Sequence, residues 1–316
     1  MKMLPPCQRS GGETQTKSNA GFSKYQSMIR ILLLGRTGNN LFQYAIGRVL
    51  AEKHQVPLVL DGSWFDETGW REVSHFLDLP LKARVRRHPS IPSRALRKIM
   101  GKHYWEYRGV PVLREPDGDQ RFDPAFLDAP ADCMLFGYFQ SPLYFQGMAN
   151  EICAELLGLL GGAVVIPADL REKISTPGSV AVHVRRTDFL TIPAHQVCGA
   201  DYYRRAMEAI RGRIPNARFH IFSDDPDWCR RTFKEPDHEV IHVPRMAANP
   251  LHDLLLMSLA PHHIIANSSY SWWAAWLGEK PGQQVMMPDR WFAEGIQAPI
   301  GQKMMPHWAQ IQTREA

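Results

Sequence analysis

The densest chemistry in the chain lies in the run VAVHVRRTDFL, residues 180–190. Valines at 180, 182 and 184 keep the two-residue period of a strand. His183, Arg185, Arg186 and Asp188 sit at its end and just beyond. Two adjacent guanidinium forks are poor core material and good ligands for a diphosphate. The plain alternative is a pair of strand-end arginines bridged to local carboxylates.

Two other apolar runs end in the same manner. Residues 219–222 lead into Ser223-Asp224-Asp225, and residues 263–266 lead into Asn267-Ser268-Ser269. Adjacent carboxylates at a strand end can hold Mg²⁺ or Mn²⁺. An arginine pair, however, supplies the positive charge that a leaving diphosphate needs, so the aspartates are assigned to hydrogen bonds with a nucleoside or sugar. Asn267-Ser268-Ser269 precedes a Trp-rich helix whose free N–H groups suit a phosphate; the alternative is simple N-capping. In a parallel sheet all three clusters would share the carboxyl edge, where open α/β sheets bind ligands.

The elements that must position these groups read as alternating strands and helices. Residues 29–34 are a short apolar run typical of a buried parallel strand. GRTGNN (35–40) forms a turn, residues 41–54 carry apolar positions at helical spacing, and residues 56–60 are a second strand. This is a βαβ opening. GRTGNN is neither a GxGxxG nor a Walker loop. In the second half, strands are expected at 180–184, 219–222, 240–243 and 263–266, and helices at 201–213, 251–260 and 270–277. Trp272, Trp273 and Trp276 fall mainly along one buried face of the last helix.

Composition sets the class. The 316 residues have room for two domains. Residues 1–27 contribute +3 of the net charge of +5, and the remaining +2 does not describe a nucleic-acid binder. Those residues are polar and rich in Ser, Gly and Gln, which predicts a disordered extension rather than a signal peptide. Five widely spaced cysteines suit a reducing compartment. No apolar run reaches membrane-spanning length. Residues 79–105 hold eight Lys or Arg and no acid, read either as a solvated face or as a patch for an anionic surface.

Five segments in order resemble glycosyltransferase family 11, the bacterial α-1,2-fucosyltransferases, over most of residues 28–292. They are LLGRTGNNLFQYAIGRVLA, GYFQSPLYF, VHVRRTDF, FSDD and ANSSYSWWAAWLG. VHVRRTDF matches an HxRRxDF motif shared with α-1,6- and protein O-fucosyltransferases, while Arg36 and Asn40 depart from the family's usual loop. The resemblance implies an α/β fold of the GT-B type, two Rossmann-like domains facing across a cleft. It further implies GDP-fucose as donor, inversion, no metal or other cofactor, and O2 of a β-galactoside as acceptor. Arg185 would contact the β-phosphate with Arg186 beside it. Ser268 and Ser269 would cradle the diphosphate, Asp253 would hold guanine, Asp224 would lie near the nucleoside, and Gly38 and Asn39 would touch the fucose.

His183, Ser223 and Asn267, at the same strand ends, complete the expected donor set. Arg185, Arg186 and Asp188 are the expected catalytic group, with Asp188 and His183 the nearest candidates for a general base. The expected layout is an extension at 1–27, an acceptor-side domain at 28–165, a donor domain at 166–300 and a tail at 301–316. The expected partners are GDP-fucose and a β-galactoside oligosaccharide or lipid-linked glycan. The expected setting is cytoplasmic or peripheral to an anionic inner leaflet, with no nucleic acid. Other linkages, a nicotinamide-dependent oxidoreductase and a non-catalytic sugar binder are the competing readings.

Overall fold

A computed structural model describes residues 27–68, 75–87, 109–243, 249–293 and 295–314. Two wholly parallel sheets organise them. The first takes β1 (Ile29–Leu32), β2 (Leu58–Asp61), β3 (Arg84–Arg86), β4 (Val112–Arg114) and β5 (Cys133–Phe136) in the order β3-β2-β1-β5-β4. The second takes β6 (Ser179–Val184), β7 (Arg218–Ser223), β8 (His238–Val240), β9 (His262–Ile264), β10 (Val285–Pro288) and β11 (Ala309–Ile311) in the order β11-β10-β9-β6-β7-β8. The helices are α1 (Thr37–His54), α2 (Ser63–Thr68), α3 (Ala149–Ala163), α4 (Ala168–Ser175), α5 (Ala200–Arg211), α6 (Pro226–Thr232), α7 (Pro250–Ser258) and α8 (Ser269–Leu277).

Topology puts the chemistry where parallel sheets put it. β6 lies between β7 and β9, so the three polar strand ends are neighbours on one edge. β1 lies between β2 and β5, so the GRTGNN loop and the GYFQ segment adjoin on the matching edge of the first sheet. Both edges open into one cleft. This is the GT-B arrangement.

The interior between the halves is continuous. One apolar cluster runs from Ile29 and Leu135 through Phe42 and Phe145 to Trp272, Trp273 and Met287. Phe42 lies 4.8 Å from Trp272 and 5.0 Å from Trp273, ring centre to ring centre. Phe145 stacks on Trp273 at 5.3 Å. Helix α8 buries Trp272, Trp273 and Trp276, because an apolar helix finds partners on several sides when it packs among other helices, here α1, α3 and α7. A second cluster covers the opposite face of the second sheet. Val180, Val182 and Val184 point into it and pack with Tyr202 and Ile221.

The short strands β3, β4, β10 and β11 have no counterpart among the expected elements. β3 is Arg-Val-Arg at a sheet edge, too short and too charged to leave an apolar signature. Residues 301–314 are no free tail. β11 pairs with β10, and Trp308, 4% exposed, packs on Trp272. Within the basic stretch, Lys82 meets Glu155 at 2.8 Å and Arg87 meets Asp78 at 2.5 Å. The rest of that stretch beyond Arg87, like the extension through Gln26, lies outside the described residues. Among the described residues no helix is long and apolar enough to cross a membrane.

A shared interior makes the two halves one cooperative unit. Calorimetry should show a single unfolding transition, and two resolved transitions would contradict the continuous core.

Candidate active site

The cleft encloses about 740 Å³, within the range of pockets that hold small-molecule ligands. Its floor is set by the period of β6. Ala181 and His183 face the side of the sheet opposite Val182 and Val184, and Arg185 continues that alternation into the cleft. Its guanidinium is held at two points, 2.7 Å from Asp188 Oδ1 through Nη2 and 3.1 Å from Asp224 Oδ2 through Nη1. Buried to 16% exposure on two carboxylates, it is a fixed fork rather than a mobile charge.

Arg186 does not join it. The expected clamp of paired arginines is absent, because consecutive residues of an extended chain project to opposite sides. Arg186 lies over the ring of Trp228 at 3.7 Å, and its Nε donates to Asp225 Oδ2 at 3.1 Å. It is not among the residues lining the cleft. Arg185 thus faces the cleft, and Arg186 is a strand-end arginine on a local carboxylate.

Of the aspartates after β7, Asp224 lines the cleft and Asp225 does not. Asp224 accepts from the backbone N–H of Arg186 at 2.9 Å and of Thr187 at 3.2 Å, and from the Thr187 hydroxyl. With Arg185 added, its carboxylate is engaged in shaping the arginine loop. Asp225 caps α6 by accepting from Trp228 N at 3.1 Å. This bond, ahead of Arg186, holds its carboxyl below the usual range. Ser223 Oγ accepts from Asp225 N at 3.0 Å while lining the cleft.

The third cluster behaves otherwise. Ser268 is the N-cap residue of α8 and makes no side-chain cap bond, so simple capping is not its role. Asn267 donates through Nδ2 to the carbonyls of His195 at 3.1 Å and Trp291 at 3.0 Å, tying two loops to the cleft floor. Ser269 Oγ donates to Asn39 Oδ1 at 2.7 Å, and Gln140 Nε2 donates to the same oxygen at 2.8 Å. Asn39 thus joins the first half to the second.

Charge in the cleft follows burial and proximity. Burial pushes the Asp188 carboxyl up, but Arg185 and then Arg36 more than reverse this and leave it below the ordinary range. Arg36 Nη2 lies 3.6 Å from Asp188 Oδ2, a pair that spans the halves. His183, 6% exposed, is held neutral with its pKa down to about 4 by burial first and Arg185 second. Its Nδ1 is buried without a hydrogen-bond partner among the described residues. Asp253, in the first turn of α7, has no cation beside it among the described residues, and burial alone raises it to about 6.

The sequence reading missed the other wall. Tyr138, Gln140, His195, Trp291 and Phe292 all line the cleft. Tyr138 and Gln140 lie within GYFQS, whose resemblance was visible although it named no role. The other three carry no spacing signal.

The halves approach closely at Gly38. A Cβ there would stand 2.4 Å from Tyr270 N and 2.7 Å from the Ser269 carbonyl carbon, both backbone atoms that cannot step aside. Gly38→Ala should wedge the cleft and reduce turnover by about 10-fold or more, with solubility retained. Unchanged turnover would show that the halves do not need this contact.

The sequence pattern described as Glycosyl transferase family 11 matches residues 120–312. The O-antigen biosynthesis glycosyltransferase WbnK of Escherichia coli is 28% identical over 288 residues, covering 83% of this chain and 94% of that protein. An alpha-1,2-colitosyltransferase of Escherichia coli is 36% identical over 283 residues, covering 84% and 93%. Galactoside 2-alpha-L-fucosyltransferase SEC1 of Bos taurus is 32% identical over 114 residues, covering 34% of this chain and 31% of that protein. A cleft between two parallel sheets, a fixed arginine on its floor and a pattern match spanning more than half the sequence agree: the chain is a glycosyltransferase and belongs to family 11.

Proposed function

We propose that this protein transfers L-fucose from GDP-fucose to O2 of a terminal β-galactoside, with inversion and without a metal. The observation that carries the reading is the placement of the Arg185 fork and the first turn of α8, free of a side-chain cap, in one cleft. A guanidinium and open N–H groups together match a diphosphate. Asp253 suits guanine, since an ionised carboxylate accepts two N–H bonds and has no cation beside it among the described residues. The acceptor O2 attacks C1 of fucose as the bond from C1 to the β-phosphate oxygen breaks. Negative charge grows on that phosphate in the transition state, where Arg185 stabilises it more than in the ground state. Engagement of Asp224 and Asp225 by arginines and backbone N–H groups supports the metal-free part of the proposal.

The relatives support the chemistry at two levels. One is named for α-1,2 transfer of colitose and another for 2-α-L transfer to a galactoside. The first favours a second reading in which colitose replaces fucose on the same donor. We extend the acceptor to a lipid-linked glycan at an anionic leaflet, a part of the proposal that salt extraction of membranes tests.

The deciding assay follows GDP release from GDP-fucose, and from its colitose counterpart, with lactose as acceptor and EDTA present, followed by linkage analysis of the product. Arg185→Ala should lose about 100-fold or more in kcat, and Arg185→Lys nearly as much because an ammonium does not replace a fork. Wild-type turnover by Arg185→Ala would overturn the assignment. GDP affinity should fall as pH drops through about 6, where Asp253 protonates and loses its acceptor role. Asp253→Asn should weaken GDP binding and flatten that dependence; a persisting pH effect in the variant would remove Asp253 from the guanine site.

A further inference from the structure

Two oppositely charged side chains lie behind the cleft wall formed by residues 138–140, and neither lines the cleft. Glu115, one residue past β4, accepts from the backbone N–H of Tyr138 at 2.5 Å and of Phe139 at 3.0 Å. Lys303, 2% exposed, donates from Nζ to the carbonyl oxygen of Gln140 at 2.9 Å and lies 5.5 Å from the centre of the Trp291 ring. The two charges act on each other, each counteracting the effect of burial on its partner.

Between them the backbone is held in a conformation it would not choose. Phe139 has φ +52°, in the left-handed region that a bulky residue rarely adopts. Gly137 has no room for a side chain, since a Cβ would stand 2.6 Å from Glu115 Oε2. Phe139 is buried while Tyr138 and Gln140 line the cleft. Gln140 then donates to Asn39 Oδ1 at 2.8 Å and accepts from Trp291 Nε1 at 3.2 Å, so the wall is coupled to both halves. A strained backbone persists only where its surroundings over-determine it, and these two charges with their bonds supply that determination.

We propose that Glu115 and Lys303 are positioning residues that brace the 138–140 wall from behind and so fix how the acceptor sugar lies against the donor. The inference rests on the cleft being the transfer site. Three variants test it without touching a cleft group: Lys303→Met, Glu115→Gln and Gly137→Ala, the last displacing the Glu115 carboxylate. Each should reduce kcat/KM for lactose by about 10-fold or more through misplacement of the wall, while GDP affinity stays within about two-fold because the diphosphate-binding groups are elsewhere. Glu115→Gln keeps one accepting oxygen and should retain more activity than Glu115→Ala. Amide exchange at Tyr138 and Phe139 should accelerate in all of them.

Unchanged kcat/KM with faster exchange, or a parallel loss of GDP affinity and turnover, would overturn the proposal in favour of a purely structural role. If Lys303→Met does not fold, the Glu115 and Gly137 variants decide alone. Should the wild-type protein transfer no sugar to any galactoside, the proposed reaction fails, and amide exchange still reads whether the brace holds the wall.

Discussion

The contact between α1 and α8 governs the rest of this structure. At Gly38 the two helix starts come so close that backbone meets backbone, and one turn further Phe42 enters the tryptophans of α8. A single side chain at position 38 would separate the halves by the thickness of a methyl group. That approach brings Asn39 Oδ1 within reach of Ser269 from one side and Gln140 from the other. The cleft therefore takes its shape from apolar packing beneath it, with the polar bridge as its visible seam.

Electrostatic order in the cleft is built outward from Arg185. Asp188 and Asp224 hold the fork, and Asp224 also gathers the N–H groups of the loop that follows. Both carboxylates are thereby occupied, Asp188 is held below the ordinary carboxylate range, and His183 beneath is kept neutral. The floor thus presents a guanidinium whose orientation is already set before any ligand arrives, which is the condition under which a fixed charge lowers a barrier without reorganising.

The sequence displayed much of this, for identifiable reasons. The apolar runs of β6 and β7 are buried on both faces and β1 buries Ile29 and Ile31, so they read clearly, and their polar ends mark the edge where ligands bind. The divergence of Arg186 was legible too: the alternation that buries Val182 and Val184 on one face sends residue 186 to that face and residue 185 to the other. Edge strands such as β3 and β11, three residues each, left no pattern to read. Glu115 and Lys303 were invisible for a different cause. They meet the same loop from distant parts of the chain, and neither belongs to a motif, so only the fold brings them together.

The continuous interior also has a consequence for how the chain is made. The first sheet is complete in sequence at Phe136, but the face formed by Phe42 and Phe145 has no cover until α8 and the segment around Trp308 have been synthesised. At ordinary translation rates that interval is on the order of ten seconds or more. During it the nascent first half carries a sticky aromatic surface into the crowded cell. The first half thus closes its core only once the second half has been made, unlike one of a pair of independently folding domains.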